Sequence, residues 1–158
     1  MVKELLLLRH GEAEIRKGQH EDEFRKLTPS GERRVERLAN SLKTRGQKVD
    51  QIIHSQAVRC VQTAEIMGRF LEPGKLVGSP LIYRAGYPEL LALINSLPDH
   101  LDTVMLVGHN PTISYMATYL TNDQHVLLSP GMMVRIHFTG VPWEQVSKAA
   151  GSLEEILQ

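Results

Sequence analysis

Two histidines stand in similar punctuation, Leu8-Arg9-His10-Gly11 and Val107-Gly108-His109-Asn110-Pro111. Each follows a short apolar run and sits beside a glycine, so each is delivered to the end of a buried strand at a sharp turn. A single histidine of this kind reads most simply as structural or solvated. Two at equivalent strand ends, one preceded by an arginine, point to a site. Arg9 terminates a buried apolar run, where an unpaired charge is costly and an anion would satisfy it. Arg59 falls early in the helix after the second strand and can reach back over the same edge. Arg25 closes a charged loop. Guanidinium forks match phosphate oxygens bidentately, and helix N-termini add N–H donors, so an anion is the expected ligand. Arg33, Arg34, Arg37, Arg45 and Arg69 read as solvated surface charges.

Competing chemistries leave little trace. The chain has no G-x-S-x-G, G-x-x-x-x-G-K-[ST] or G-x-G-x-x-G, and its 7 histidines form no H-E-x-x-H. A zinc site therefore has no sequence support. Cys60 has Ile66, not an arginine, six positions on, which removes the cysteine-phosphatase loop. Histidine is left as the best nucleophile beside an arginine cluster.

The elements that must position these groups alternate strand and helix. Glu4–Arg9 reads as a strand buried on both faces. A charged loop runs from Glu12 to Lys26. Thr28-Pro29-Ser30-Gly31-Glu32 is a helix start, with a capping hydroxyl, an early proline and a nearby acid. Val35, Leu38, Ala39 and Leu42 then recur at helical spacing, with Gly46 as the stop. Further strands are expected at Val49–His54, Lys75–Tyr83, Thr103–Val107 and Met132–Phe138. Further helices are expected at Ala57–Leu71, Tyr87–Leu97 and Thr112–Leu120, while the tail from Trp143 to Gln158 fits helix or strand equally. This alternation predicts an α/β fold, a three-layer α/β/α sandwich with a mostly parallel central sheet. Ligands of such sheets bind outside the carboxyl ends of the strands, where both histidines fall.

The 158 residues suit one domain, 1–158, able to bury roughly 70% of its unfolded surface. The 18 Lys and Arg balance 18 Asp and Glu, which argues against a nucleic-acid or anionic membrane partner. One cysteine excludes an internal disulfide and suits a reducing, cytoplasmic location. The Leu5–Leu8 run is too short for a signal peptide, and no run approaches the ~20 residues of a membrane span. Cys60, Met132-Met133 and Trp143 read as packing residues. His20, His100 and His125 read as loop surface, and His137 as outward-facing. His54 ends a strand near the site, and Gln62 and Thr63 as supports for Arg59.

Four segments, taken in order, resemble the histidine phosphatase superfamily, which includes the phosphoglycerate mutases. Leu8-Arg9-His10-Gly11-Glu12 is similar to its R-H-G signature, and Leu27-Thr28-Pro29-Ser30-Gly31 to its L-T-x-x-G helix start. Ser55-Gln56-Ala57-Val58-Arg59-Cys60-Val61-Gln62-Thr63-Ala64 is similar to its S-P-x-x-R-A-x-Q-T-A segment. Gly108-His109-Asn110-Pro111 is similar to its second-histidine motif. The short chain, Arg25-Lys26-Leu27-Thr28 and Leu81-Ile82-Tyr83 resemble the compact SixA-type phosphohistidine phosphatases, which lack a large cap. Gln56 and Cys60 depart from the usual Pro and Ala.

The resemblance implies a phosphoglycerate mutase-like fold and a phosphatase in which His10 attacks phosphorus and becomes a phosphohistidine. Arg9, Arg59 and His109 would act in catalysis, with Arg9, Arg25, Arg59, His109, Gly11 and Asn110 holding the phosphoryl group. No cofactor or metal is implied, since arginines and a protonated histidine would do that work. The acid that many members carry after the third strand is missing from Leu81-Ile82-Tyr83-Arg84-Ala85, which leaves Glu12 and Glu89 as candidate proton donors. The implied substrate is a phosphohistidine-bearing protein. A small-molecule phosphomonoesterase, acting on a sugar or nucleotide phosphate through the Glu12–Lys26 loop, is the alternative. Nothing in the chain calls for an oligomer.

Overall fold

The computed structural model describes residues 1–15 and 22–158. The four leucines Leu5–Leu8 lie in strand β1 (Val2–Arg9), where successive side chains face opposite ways. Leu5 and Leu7 enter one core and Leu6 and Leu8 the other. The same division holds in β4 (Thr103–Gly108), whose Val104 and Leu106 share the first core while Met105 and Val107 share the second. A strand whose two faces are both apolar needs a helical layer on each side, and that requirement generates the three layers.

Helices α1 (Pro29–Thr44) and α2 (Val58–Leu71) cover one face, through Val35, Leu38 and Leu42 and through Cys60, Ala64 and Met67. Helices α4 (Tyr87–Asn95) and α5 (Thr112–Thr121) cover the other, with Leu90, Ile94, Ile113 and Met116, backed by the fully buried Trp143. Besides β1 and β4, the sheet contains β2 (Gln51–Ser55), β3 (Lys75–Ser79), β5 (Met133–Thr139) and β6 (Ser152–Leu157). Its order is β3-β2-β4-β1-β5-β6. The first four run parallel, and β5 and β6 are antiparallel additions beside β1. The expected α/β sandwich is thus present, with a mixed sheet and, among the described residues, no large cap. No helix among them is long and apolar enough to cross a membrane.

Two sequence expectations are corrected. The strand expected over Lys75–Tyr83 stops at Ser79, because Pro80 removes a backbone donor and starts the short helix α3 (Pro80–Arg84), capped by the Ser79 hydroxyl. The ambiguous tail resolves into a 3-10 turn at Trp143–Gln145 and the edge strand β6. Elsewhere local signals hold. Thr28 caps α1 by accepting from the Gly31 amide at 2.9 Å, and Gly46, at φ +75°, follows the helix in the left-handed region that glycine tolerates. Gly31 is demanded by close approach, since a Cβ there would meet the Glu12 carbonyl oxygen at 2.2 Å.

Candidate active site

Three parallel strands end side by side and set the site. Arg9 of β1 is in register with Gly108 of β4, and Val107 of β4 with His54 of β2. The residues just past these ends, His10 and His109, together with Ser55, therefore share one edge of the sheet. The His10 amide donates to the Gly108 carbonyl at 3.1 Å, and the Gly131 amide closes the turn on the Arg9 and His10 carbonyls. Helix α2 begins directly after β2, so Arg59, its second residue, hangs over the same edge.

Arg59 joins the two imidazoles. Its Nε donates to His10 Nε2 at 3.3 Å and its Nη2 to His109 Nδ1 at 3.2 Å. A guanidinium only donates, so both ring nitrogens must be unprotonated and the tautomers follow. His10 carries its proton on Nδ1 and donates it to the Gly11 carbonyl at 2.7 Å. His109 carries its proton on Nε2, against the Ser55 hydroxyl at 2.8 Å, with Cys60 Sγ at 3.6 Å. The ring centroids are 5.4 Å apart. Burial, reinforced by the Arg59, Arg9 and Arg25 charges against the Gly11 hydrogen bond, pushes the His10 pKa down to about 4. Burial, then Arg59, pushes His109 down to about 3. Both rings are neutral near pH 7, and His10 Nε2 presents a lone pair, as a nucleophile requires. His109, expected from the sequence to be protonated, is thus a neutral ring near pH 7 in this arrangement. A phosphoryl dianion beside it would favour the cation.

The sequence-derived arginines are arranged around this pair. Arg9 Nη1 donates to the Leu128 carbonyl at 3.0 Å, while its buried Nε meets no acceptor among the described residues. Arg25 lies one residue further out, bonding through Nε to Asp22 Oδ1 at 3.0 Å and through Nη1 to the Glu14 carbonyl at 2.8 Å. The other named positions spend their polar groups on the framework. The Gly11 amide donates to Thr63 Oγ1 at 3.1 Å, and Thr63 in turn donates to the Arg59 carbonyl at 2.7 Å. The expected support of Arg59 by Thr63 is thereby visible, while Gln62 accepts from the Leu27 amide at 2.7 Å. The Asn110 amide nitrogen goes to the Leu128 carbonyl at 2.7 Å and its oxygen to the Ser114 hydroxyl at 2.7 Å, so it shapes the loop behind the pocket. Glu12 accepts from the Thr28 hydroxyl at 2.7 Å, and Glu89 accepts from the Gly86 amide at 3.0 Å as part of the α4 cap. Both candidate proton donors are thus engaged by framework donors. His54 is buried against Gly78 of β3, and His20 lies outside the described residues.

Sequence reasoning missed three residues. Asp22, in the 3-10 turn Asp22–Phe24, accepts from Arg59 Nη2 at 3.3 Å and from the Tyr83 hydroxyl, and its own carbonyl takes Arg59 Nη1 at 2.7 Å. The Tyr83 hydrogen bond, then Arg59 and Arg25, hold the Asp22 pKa at about 2 against the opposing effect of burial. Tyr83 stands 5.4 Å from the His109 ring and 5.9 Å under the Arg59 guanidinium, its pKa raised by burial and by Asp22. The Ser55 hydroxyl accepts from His109 Nε2 once Arg59 has fixed the tautomer. The spacing Asp22-x-x-Arg25 was the available signal for the first of these.

An unprotonated imidazole nitrogen, two guanidiniums and a third arginine nearby form a compact arrangement suited to an anion and to phosphoryl transfer. Comparison with known proteins agrees. Residues 5–78 match the histidine phosphatase superfamily (branch 1). An uncharacterized protein of Picosynechococcus sp. is 34% identical over 125 residues, covering 77% of this chain and 74% of that one. Among solved structures, one named as the phosphohistidine phosphatase SixA from Nakamurella multipartitia superposes with a TM-score of 0.86 at 26% identity, over 100% of this chain and 96% of that one. The protein histidine phosphatase SixA complexed with tungstate, at 20% identity and a TM-score of 0.78 over 98% and 96% of the two chains, shares the fold. By sequence, by fold and by the pairing of its two strand-end histidines through one arginine, this chain belongs to the histidine phosphatase superfamily.

Proposed function

We propose that the chain, acting as one domain over residues 1–158, is a phosphatase that removes the phosphoryl group from phosphohistidine on a protein, through a phosphoenzyme on His10. The observation that carries this reading is the His10 tautomer, with Nδ1–H on Gly11 and the Nε2 lone pair beside Arg59 Nε. In the first step that lone pair forms the N–P bond while the bond from phosphorus to the leaving group breaks. Water then attacks phosphorus and releases phosphate from His10. Arg59, Arg9, Arg25 and His109 would hold the equatorial oxygens, and the Arg9 Nε without an acceptor supplies a donor for one of them. The protein histidine phosphatase SixA, which shares the fold, is complexed with tungstate, an oxyanion.

A protein substrate is supported by the rim. Phe24 and Leu81, two residues from Asp22 and Tyr83, are largely exposed. Pro111 and Thr112, next to His109 in sequence, line an open groove with Tyr87 and Tyr115. Apolar side chains around a polar pocket suit a protein surface better than a hydrated sugar. The free, buried Cys60 fits a reducing cytoplasm.

His10→Ala should abolish hydrolysis of para-nitrophenyl phosphate while leaving the far-ultraviolet circular dichroism unchanged. Quenching in alkaline detergent during turnover should trap a phosphoenzyme that survives base and is lost on later treatment with acid, and EDTA should leave the rate intact. Turnover by the His10 variant, or an acid-stable phosphoenzyme, would refute the mechanism. Hydrolysis of sugar or nucleotide phosphates in preference to a phosphorylated phosphotransfer domain would replace the protein substrate by a metabolite.

A further inference from the structure

Asp22 is unused by the mechanism above, yet its carbonyl and carboxylate are held by Arg59, the residue that bonds His10. Arg59 turns Nε toward His10, and its outer nitrogens Nη1 and Nη2 hold the Asp22 carbonyl and carboxylate. Asp22 therefore stands beyond the guanidinium as seen from the nucleophile, with its side chain 28% exposed. In-line displacement puts the leaving atom on the side of phosphorus opposite His10, so the outer wall of the pocket, where Asp22 lies, borders the leaving group. Three donors, Arg25 Nε, Arg59 Nη2 and the Tyr83 hydroxyl, converge on the carboxylate.

We infer that Asp22 is a specificity-determining residue that favours nitrogen-linked phosphoryl groups by accepting a hydrogen bond from the protonated leaving imidazole. The inference rests on the phosphohistidine reading of the site. A carboxylate held ionised, with its pKa at about 2, accepts protons' hydrogen bonds but has no proton to give. A phosphate ester of an alcohol needs a proton on its departing oxygen, which this group cannot supply. A phosphoimidazole has a different need. Its ring takes a proton from water on the nitrogen that is not bonded to phosphorus. The His10 Nε2 lone pair then forms the new N–P bond, the old P–N bond breaks, and its electron pair stays on the departing nitrogen. The ring leaves as neutral imidazole, still carrying the solvent-derived proton. An acceptor facing that N–H stabilises the protonated phosphoimidazole, the form whose P–N bond breaks. The absence of a carboxylic acid after β3 thus has a counterpart in the chain, an ionised carboxylate with the opposite hydrogen-bonding role.

The test compares Asp22→Asn with the parent protein on two substrates, phosphoimidazole and para-nitrophenyl phosphate, each measured as kcat/KM on the same preparation. The amide removes the charge and keeps the shape. Both rates are expected to change as Arg59 and Arg25 lose a partner. The ratio of phosphoimidazole to nitrophenyl phosphate activity should fall about tenfold to a hundredfold, the worth of one hydrogen bond to a charged group. Because both rates come from one sample, any unfolded fraction cancels in the ratio. An unchanged ratio would overturn the inference and leave Asp22 as a support for the arginines. A parent protein that hydrolyses nitrophenyl phosphate and not phosphoimidazole would overturn the phosphohistidine reading itself, and the inference with it.

Discussion

Acid should weaken the fold through the nucleophile. An unfolded histidine binds its proton near pH 6.5, and His10 in the folded protein only near 4, because burial and the surrounding arginines oppose the charge. Between those values the unfolded chain binds more protons than the native one, so stability falls as pH falls. At pH 5 the unfolded ring is almost fully charged and the native ring almost fully neutral, a loss of about 2 kcal/mol relative to pH 7. The full loss of about 3 kcal/mol is reached below pH 4. Asp22 does not enter this window, since its own contribution is lost only as the pH falls from the ordinary carboxylate range toward about 2. Substituting His10→Asn removes the titrating group. Urea unfolding followed by the fluorescence of the one tryptophan, Trp143, which is buried, reads both proteins at pH 7 and pH 5. The parent should lose about 2 kcal/mol more than the variant between the two conditions. Parallel losses would refute the claim that His10 is held neutral by its surroundings, and with it the reason that the ring is a free nucleophile at neutral pH.

Three further outcomes are expected. Arg59→Lys should lower kcat/KM for nitrophenyl phosphate by ~10²–10³, because one ammonium cannot bridge both imidazoles and hold an equatorial oxygen. Gly31→Ala should destabilise the protein by about 1–3 kcal/mol in thermal unfolding, since the new methyl group meets the Glu12 carbonyl at 2.2 Å and must push apart the contact that carries the His10 loop onto α1. Trp143→Ala should cost about 3–5 kcal/mol in chemical denaturation followed by circular dichroism, through the lost packing on Phe138 and the lost hydrogen bond to the Leu101 carbonyl at 2.7 Å.

What could be read from the chain was what local chemistry decides. Four leucines before an arginine and a glycine make a doubly buried strand wherever they occur, and Thr28-Pro29 starts a helix without help from the rest of the fold. The third strand was read too long because Leu81-Ile82-Tyr83 is as apolar as a strand, whereas Pro80 and the Ser79 cap turn it into a helix. The tail was unreadable because Ser152–Leu157 does not alternate cleanly. Its pairing with β5 shifts register between Arg135 and Ile136, and a shift of that kind belongs to the pair of strands, not to either sequence.

The site divides in the same way. His10, His109 and Arg59 were visible because each sits at a fixed place on a regular element. Asp22 was hidden in an acidic stretch of a charged loop, where one carboxylate looks like the next until folding sets it between two arginines and a tyrosine. The Gly11 amide and the Asn110 side chain err in the other direction. Their motifs place them beside the pocket, and only the folded chain shows their donors committed to Thr63 and Leu128.

The placing of His10 directly after β1 has a consequence for how such a protein can change over time. β1 lies between β4 and β5, with every residue from Lys3 to Leu8 buried, so the turn that carries His10 should open only when the whole molecule unfolds. Asp22, Phe24 and Arg25 belong instead to a surface segment that bears little of the core. Substitutions in β1 should therefore register first as folding defects, while substitutions at Asp22 or Arg25 should act on the arginine cluster and leave the core intact. The turn that bears His10 and the segment that bears Asp22 are thus parts of the chain under different constraint, one tied to global unfolding and the other free of the core.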